Sequence, residues 1–265
     1  MRTRFGLILV ALSFAGVMLL SLSGLARTAL AAQATPSPEA MDMGVCTEAL
    51  GIGSEGDACV NIIHASPDAP AVDVYVDGTK ALENLEFGKA SGWVALPAGE
   101  HQVRVTATGA QPDQAVIDAK VTLEAGAAYE VAATGLLANI TPKIYPVNLS
   151  KLDEDQARVR VVHTSPDAPA VDIAVKGGNV LIPNLAFPNA SDYLEVPAGS
   201  YDLEVRAAGT TTVALELPGV KLDPTMVYDV FAIGQLGNNT LTVLVVASST
   251  TGAMATPEAT ASPAM

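Results

Sequence analysis

The chain has 265 residues, 49% apolar and 5% aromatic, with 14 basic residues against 28 acidic ones for a net charge of −14. That length suits about two domains. The negative field repels nucleic acid and anionic lipid, and so few rings argue against stacking bases or sugars on aromatic faces.

Met1–Arg4 carries two arginines, Phe5–Leu25 is mostly apolar, and Ala29-Leu30-Ala31 offers a small-x-small cleavage site. This order predicts a secretory signal peptide over 1–31, cut after Ala31 or, as second choice, after Ala34. The apolar run is also long enough to span a bilayer, so an uncleaved anchor stays open as an alternative. No cysteine follows it closely, which argues against a lipoprotein anchor. Cleavage removes Arg2, Arg4 and Arg27 and no acid, so 11 bases against 28 acids leave a charge of −17. The expected location is secreted or cell-envelope associated, with no membrane insertion after cleavage.

Residues 32–45 are rich in Pro, Ser, Thr and Ala and predict a disordered linker, and 248–265 has the same character. Cys46 and Cys59 lack the spacing of a redox or zinc pair and predict a structural disulfide that pins the mature N-terminus to the first strand.

The part between the tails repeats. His64–Asp73 reads HASPDAPAVD and His163–Asp172 reads HTSPDAPAVD, nine matches in ten at an offset of 99. Asn84-Leu85-x-Phe87-x-x-Ala90-Ser91 recurs as Asn184-Leu185-x-Phe187-x-x-Ala190-Ser191, Pro97-Ala98-Gly99 as Pro197-Ala198-Gly199, and Tyr129 as Tyr228. Two domains follow, repeat 1 over 46–147 and repeat 2 over 158–247, with a polar, acidic joint at 148–157. Val72, Val74 and Val76 alternate with Asp73, Tyr75 and Asp77. Val171, Ile173 and Val175 keep the same spacing, and turn signals recur between such runs. The reading is all-β: two tandem immunoglobulin-like or transthyretin-like antiparallel β-sandwiches with disordered termini. Leu123–Tyr129 and Leu222–Tyr228 resemble a tyrosine corner, in which the hydroxyl bonds back to the preceding turn.

The shared Ser-Pro-Asp-Ala-Pro string is the candidate site. Two prolines stiffen it, and Asp68 and Asp167 are expected to form Asx-turns with an amide two residues on. His64, Ser66 and Asp68 are triad residue types, but on one stiff segment they do not reach the geometry of a triad. His64, Asp68 and Asp73, with His163, Asp167 and Asp172, are weak candidates for a mixed nitrogen and oxygen metal site. The competing expectation half-buries each histidine at a strand end, bonded to the turn. Trp93, aligned with Tyr193, is expected to pack in a core or rim, with sugar binding as the alternative. Asn139, Asn148, Asn189 and Asn238 begin N-x-[ST] sequons.

The string VHTSPDAPAVD, followed by Asn184–Phe187 and Val196–Gly199, with its counterpart in copy one, resembles the bacterial family called domain of unknown function 4397. Copy one departs where Asn61-Ile62-Ile63 replaces Arg160-Val161-Val162, a change in the strand and not in the loop. The resemblance implies an exported, often envelope-associated β-sandwich and carries over no reaction and no catalytic residues. The functional expectation is a non-catalytic binding or structural module for an extracellular glycan or protein, without a cofactor. A calcium-dependent adhesion module and a hydrolase are the alternatives.

Overall fold

A computed structural model of the chain describes residues 44–251. The signal peptide, most of the expected linker and the last fourteen residues lie outside the described residues. Repeat 1 opens with a short helix α1 (Val45–Ala49), then β1 (Ala58–His64), β2 (Val72–Val76), β3 (Thr79–Leu85), β4 (Ala90–Leu96), β5 (Gly99–Ala107), β6 (Ile117–Leu123), β7 (Ala128–Thr134) and β8 (Thr141–Val147). Repeat 2 follows with β9 (Gln156–His163), β10 (Val171–Val175), β11 (Val180–Leu185), β12 (Leu194–Pro197), β13 (Gly199–Ala207), β14 (Val213–Leu222), β15 (Met226–Ile233) and β16 (Thr242–Ser249).

Each repeat folds into two four-stranded sheets. Repeat 1 pairs β3-β2-β5-β6 and β4-β1-β7-β8, and repeat 2 pairs β11-β10-β13-β14 and β12-β9-β15-β16. The tandem β-sandwich reading is therefore correct. One pairing per repeat departs from an antiparallel ladder: β1 runs parallel to β7, and β9 parallel to β15. Repeat 2 also runs past its expected end at 247, because β16 continues through Ser249, with Ser248 and Ser249 buried, so the first residues of the expected disordered tail are strand.

Alternation explains the sandwich cores. Val72 and Val74 point inward with Leu85, Val105 and Ile117, and Val171 and Ile173 do so with Ile182, Leu185 and Val205. The tyrosine corners are present: Tyr129 Oη accepts from Glu124 N at 3.3 Å and Tyr228 Oη accepts from Asp223 N at 2.9 Å. Tyr129→Phe and Tyr228→Phe should each cost about 1 kcal/mol. Unchanged melting temperatures in both variants would show that these bonds contribute nothing.

The inner strands behave differently. On β1, Ala58 and Val60 face the sandwich core while Cys59 and Ile63 pack against repeat 2. Such strands are buried on both faces, as their near-continuous apolar composition requires. The two inner sheets thus stack face to face, making four layers. One inter-repeat cluster joins the equivalent positions Ile63 with Val162 and Ala132 with Phe231, and the other joins Ala128 with Val227 and Trp93 with Tyr193. Equivalent residues meeting at the same end require β1 and β9 to run in the same sense, so the repeats are related by a pseudo-dyad along the strands. Both histidine-bearing strand ends then lie at one end of the molecule, the tip. Cys46, Cys59 and Val227 lie at the other, the base.

The joint at 148–157 is more than polar. Leu149 and Leu152 are buried in the basal cluster, and Arg158 Nη1 donates to Asn148 O at 2.9 Å and Ser150 O at 3.1 Å. Cys46 and Cys59 form the expected disulfide, with Cα atoms 5.6 Å apart.

Candidate functional site

The repeated string forms the tip of each repeat, and nearly every residue in it serves a structural bond. His64 leaves β1 fully buried. Its Nε2 lies 2.9 Å from Pro70 O, and His163 Nε2 lies 3.0 Å from Pro169 O. A carbonyl only accepts, so Nε2 carries the proton in both rings. Burial lowers the pKa of both histidines, which stay neutral. Phe87 and Phe187, from the second repeated motif, meet these rings edge-on at 6.1 and 6.4 Å. The expectation of a histidine bonded to the turn holds, with burial complete where half-burial was expected.

The expected Asx-turns are not what forms. Two residues beyond Asp68 and Asp167 stand Pro70 and Pro169, which have no N–H to give. Asp68 Oδ1 instead accepts from Leu137 N at 2.7 Å, and Asp167 accepts from Leu236 N at 2.8 Å and Gly237 N at 2.9 Å. For Asp167 burial pushes the carboxyl up, and these amides outweigh it to hold the pKa below the ordinary value. Each aspartate therefore clamps the loop that follows β7 or β15. That loop starts at Gly135 and Gly234, whose φ values of 89° and 91° and whose close approach to Asn139 O and Thr240 O suit no other residue.

Asp73 and Asp172 tie three strands. Asp73 accepts from Lys80 Nζ at 2.7 Å, Asn84 N at 2.9 Å and Gly109 N at 3.0 Å. Burial raises its carboxyl, but these donors together hold the pKa at about 2. Asp172 accepts from Asn184 N at 2.7 Å and Gly209 N at 2.8 Å. Asn84 and Asn184 sit at φ 56° and 52°, a left-handed conformation that asparagine tolerates. Ser91 and Ser191 accept from Ile62 N and Val161 N, filling gaps in the ladders beside β1 and β9.

The structure thus distributes His64, Asp68 and Asp73 among separate bonds, and does the same with His163, Asp167 and Asp172. Among the described residues no three His, Cys, Asp or Glu side chains converge as a metal site. The nitrogen that a triad would use as base is bonded to a carbonyl, and Ser66 Oγ is buried without a partner. Thermal stability should not respond to calcium, zinc or EDTA, whereas Asp167→Asn should cost about 1–2 kcal/mol by weakening the loop clamp. A calcium-induced rise in melting temperature that Asp68→Asn with Asp167→Asn abolishes would reverse this reading.

The family model described as "Domain of unknown function (DUF4397)" matches residues 58–174 and 172–257. The chain belongs to the DUF4397 family. The first match runs through β9 into the second tip, so the matched segments are out of step with the two sandwiches. A comparison with curated proteins gives no match. Among solved structures, the Bacillus anthracis TIE protein is 11% identical at a TM-score of 0.22, covering 68% of this chain and 34% of that one. The chain thus spans about a third of that protein. A structure titled "Alpha-glucan binding by a streptococcal virulence factor" is 9% identical at a TM-score of 0.23, covering 70% and 96%. CBMbc (family CBM26) from Eubacterium rectale Amy13K in complex with maltoheptaose is 12% identical at a TM-score of 0.23, covering 71% and 95%. TM-scores this low add nothing to the fold described above.

What the motifs did not disclose is the charged centre between the two DUF4397 repeats. Arg160 on β9 donates from Nε to Asp229 Oδ1 at 2.5 Å, from Nη2 to Glu130 Oε2 at 3.2 Å and from Nη1 to Pro146 O at 2.7 Å. Tyr193 Oη donates to Asp229 at 2.9 Å, and the guanidinium lies 4.5 Å from the Tyr193 ring centre. All three charged side chains are buried. One cation serves two carboxylates, and Glu130 Oε1 has no partner. Burial and the neighbouring Asp229 carboxylate push the Glu130 pKa well up against the opposing Arg160, and burial raises Asp229 as well, so one cation faces two carboxyls that both resist ionisation. The signal was present in the sequence, since copy one has Asn61 where copy two has Arg160. Trp93 also faces this interface: its Nε1 donates to Ser248 Oγ at 2.9 Å, so it packs between repeats and leaves the sugar-binding alternative without support.

Proposed function

We propose that this protein is an exported, non-catalytic module of the cell envelope or extracellular space that binds a glycan or protein partner through its paired tips. The supporting observation is a duplicated presentation. Leu137 and Leu236 are each 39% exposed, and each has its N–H held by an aspartate of the repeated string. The string acts as a clamp that presents an exposed leucine, twice, at the same end of the molecule. The disulfide supports an oxidising compartment. Among the described residues no helix is long and apolar enough to cross a membrane. The engagement of the aspartates and histidines in loop bonds favours this reading over calcium-dependent adhesion and over hydrolysis.

Two fixed, identical contacts convert a weak single affinity into avidity for a repetitive partner. The test applies the protein without residues 1–31 to a glycan array and to an isolated cell-envelope fraction. Retention is expected to weaken in Leu137→Ser or Leu236→Ser and to vanish in the double variant, with melting temperatures unchanged. A double variant that binds like the wild type overturns the tip assignment, and a blank result on both surfaces overturns the binding reading.

A further inference from the structure

The two sandwiches share one topology but not one interior. In repeat 1 the space between the sheets is nearly filled, leaving a cavity of about 50 Å³. In repeat 2 a cleft of about 870 Å³ opens between the sheets, lined by Ile173, Val205, Leu217, Val230, Val243 and Val245 among others. A pocket for a small molecule measures about 300–1,000 Å³ and is mostly apolar, so the second interior has both the size and the character of one.

Local sequence accounts for the difference. The outer edge strand β6 pairs with β5 without interruption, from Gly99 with Leu123 to Val105 with Ile117. Its counterpart β14 breaks register twice against β13, first between Tyr201 and Leu203. At that break lie Pro218 and Gly219: the proline has no N–H for the ladder, and Gly219, at φ 63°, donates to Asp202 Oδ1 at 2.7 Å. Such a bulge bends the edge strand. Ile117 and Val121 of β6 are accordingly buried, while Leu215 and Val220 of β14 are only half-buried. The corner position adds to the effect. His101 turns inward, bonded to Asp77 at 2.7 Å and Pro97 O at 2.8 Å, and lines the repeat 1 cavity. Tyr201 keeps the equivalent bond, its hydroxyl donating to Pro197 O, but has no counterpart of the His101 bond to Asp77 and does not line the cleft.

We propose that the cleft of repeat 2 binds the alkyl chain of a single-chain amphiphile whose head carries no net charge. The slot runs along β16 from Val243 to Ala247, about 13 Å at strand spacing, and its walls there are aliphatic except for the Tyr228 ring beside Ala247. Charge enters at the base end alone, where Lys221 and Asp223 pair at 2.8 Å with both side chains largely exposed. An exposed pair of this kind is held by no more than about 1 kcal/mol and rearranges readily. A head with one positive and one negative group complements it. An anionic head meets the same pair and also the field of a chain carrying −17 once residues 1–31 are gone, which disfavours it at low ionic strength.

The experiment titrates the full chain without residues 1–31 with palmitoyl lysophosphatidylcholine below its micelle concentration, by isothermal calorimetry, beside palmitate under the same low-salt conditions. Saturable binding at one site per chain is expected, tighter for the lysolipid than for palmitate. Ala232 and Ala247 line the cleft, so Ala232→Phe and Ala247→Phe fill it from opposite ends. Each should weaken binding by about tenfold or more, and circular dichroism decides which variants remain folded. Val116→Ser, on the exposed surface of the other repeat, should leave lysolipid binding unchanged. The proposal is overturned by absence of saturable binding or by a folded cleft-filling variant that binds like the wild type. It is also overturned by sedimentation showing a dimer that either filling variant dissolves, since the occupant is then a second copy. Palmitate binding the tighter of the two overturns the head-group assignment.

Discussion

Arg160→Met should lower stability by about 3–5 kcal/mol, the cost of leaving a buried partner charge uncompensated. The variant removes every bond that the guanidinium makes to Asp229, Glu130 and Pro146 O. It leaves the Glu130 and Asp229 carboxyls facing each other between the sheets with no cation beside them, so the charge that remains there must be neutralised by a proton or reached by water. Adding Glu130→Gln and Asp229→Asn should recover part of the loss, because a centre without charges needs no counter-ion. Chemical denaturation of the single and triple variants checks both statements, and a single variant within 1 kcal/mol of wild type would remove the centre from the account of inter-repeat stability.

The same centre sets a pH dependence whose sign is fixed. The carboxyl of Glu130 is raised above its ordinary value of 4.5 in the folded protein. Between those two values the folded state binds the extra proton, so stability falls as pH rises. Its contribution is complete below about 4.5 and is lost as pH climbs through the raised value. Asp73, Asp172, His64 and His163 act in the opposite sense. Held below their ordinary values, they contribute at neutral pH and lose that contribution in acid. Glu130→Gln should therefore flatten the alkaline limb of a melting-temperature profile and leave the acid limb in place.

The disulfide carries the second large effect. Cys46→Ser with Cys59→Ser should cost about 2–5 kcal/mol. The bond closes a separation of 13 residues and fixes α1 against the basal cluster, where Cys46, Ala49 and Leu50 meet Leu149, Leu152 and Val227. A reductant should lower the wild-type melting temperature by the same amount as the double substitution. Equal melting temperatures with and without reductant would contradict this.

Much of the sandwich was legible because period-two alternation sorts core-facing side chains from those of the other face, even where bonded carboxylates such as Asp73 and Asp172 are buried there too. Val72 and Val74, or Val171 and Ile173, show it directly. The four-layer stack was harder to read, because β1 and β15 are buried on both faces and give apolar runs without a period. The loop motif was legible as a structural device, but its bonds were not. An Asx-turn is a local rule, whereas Asp68 reaches an amide 69 residues away. The charged centre escaped because it crosses repeats: Asn61 and Arg160 look like a neutral exchange until Glu130 and Asp229 are placed opposite them. The cleft of repeat 2 escaped because Pro218-Gly219 reads as an ordinary turn, and only pairing shows that it interrupts an edge strand.

The common direction of β1 and β9 bears on how the molecule would stand on a support. Chain entry at Cys46 and the last strand residue, Ser249, both lie at the base, since Met226 pairs with Ser249 and Trp93 reaches Ser248 beside the disulfide cluster. The tips stand one strand length away, about 20 Å. Whatever either end is joined to, tension on the ends is taken up across the base and the leucines are held outward, like the heads of two pins set in one cushion.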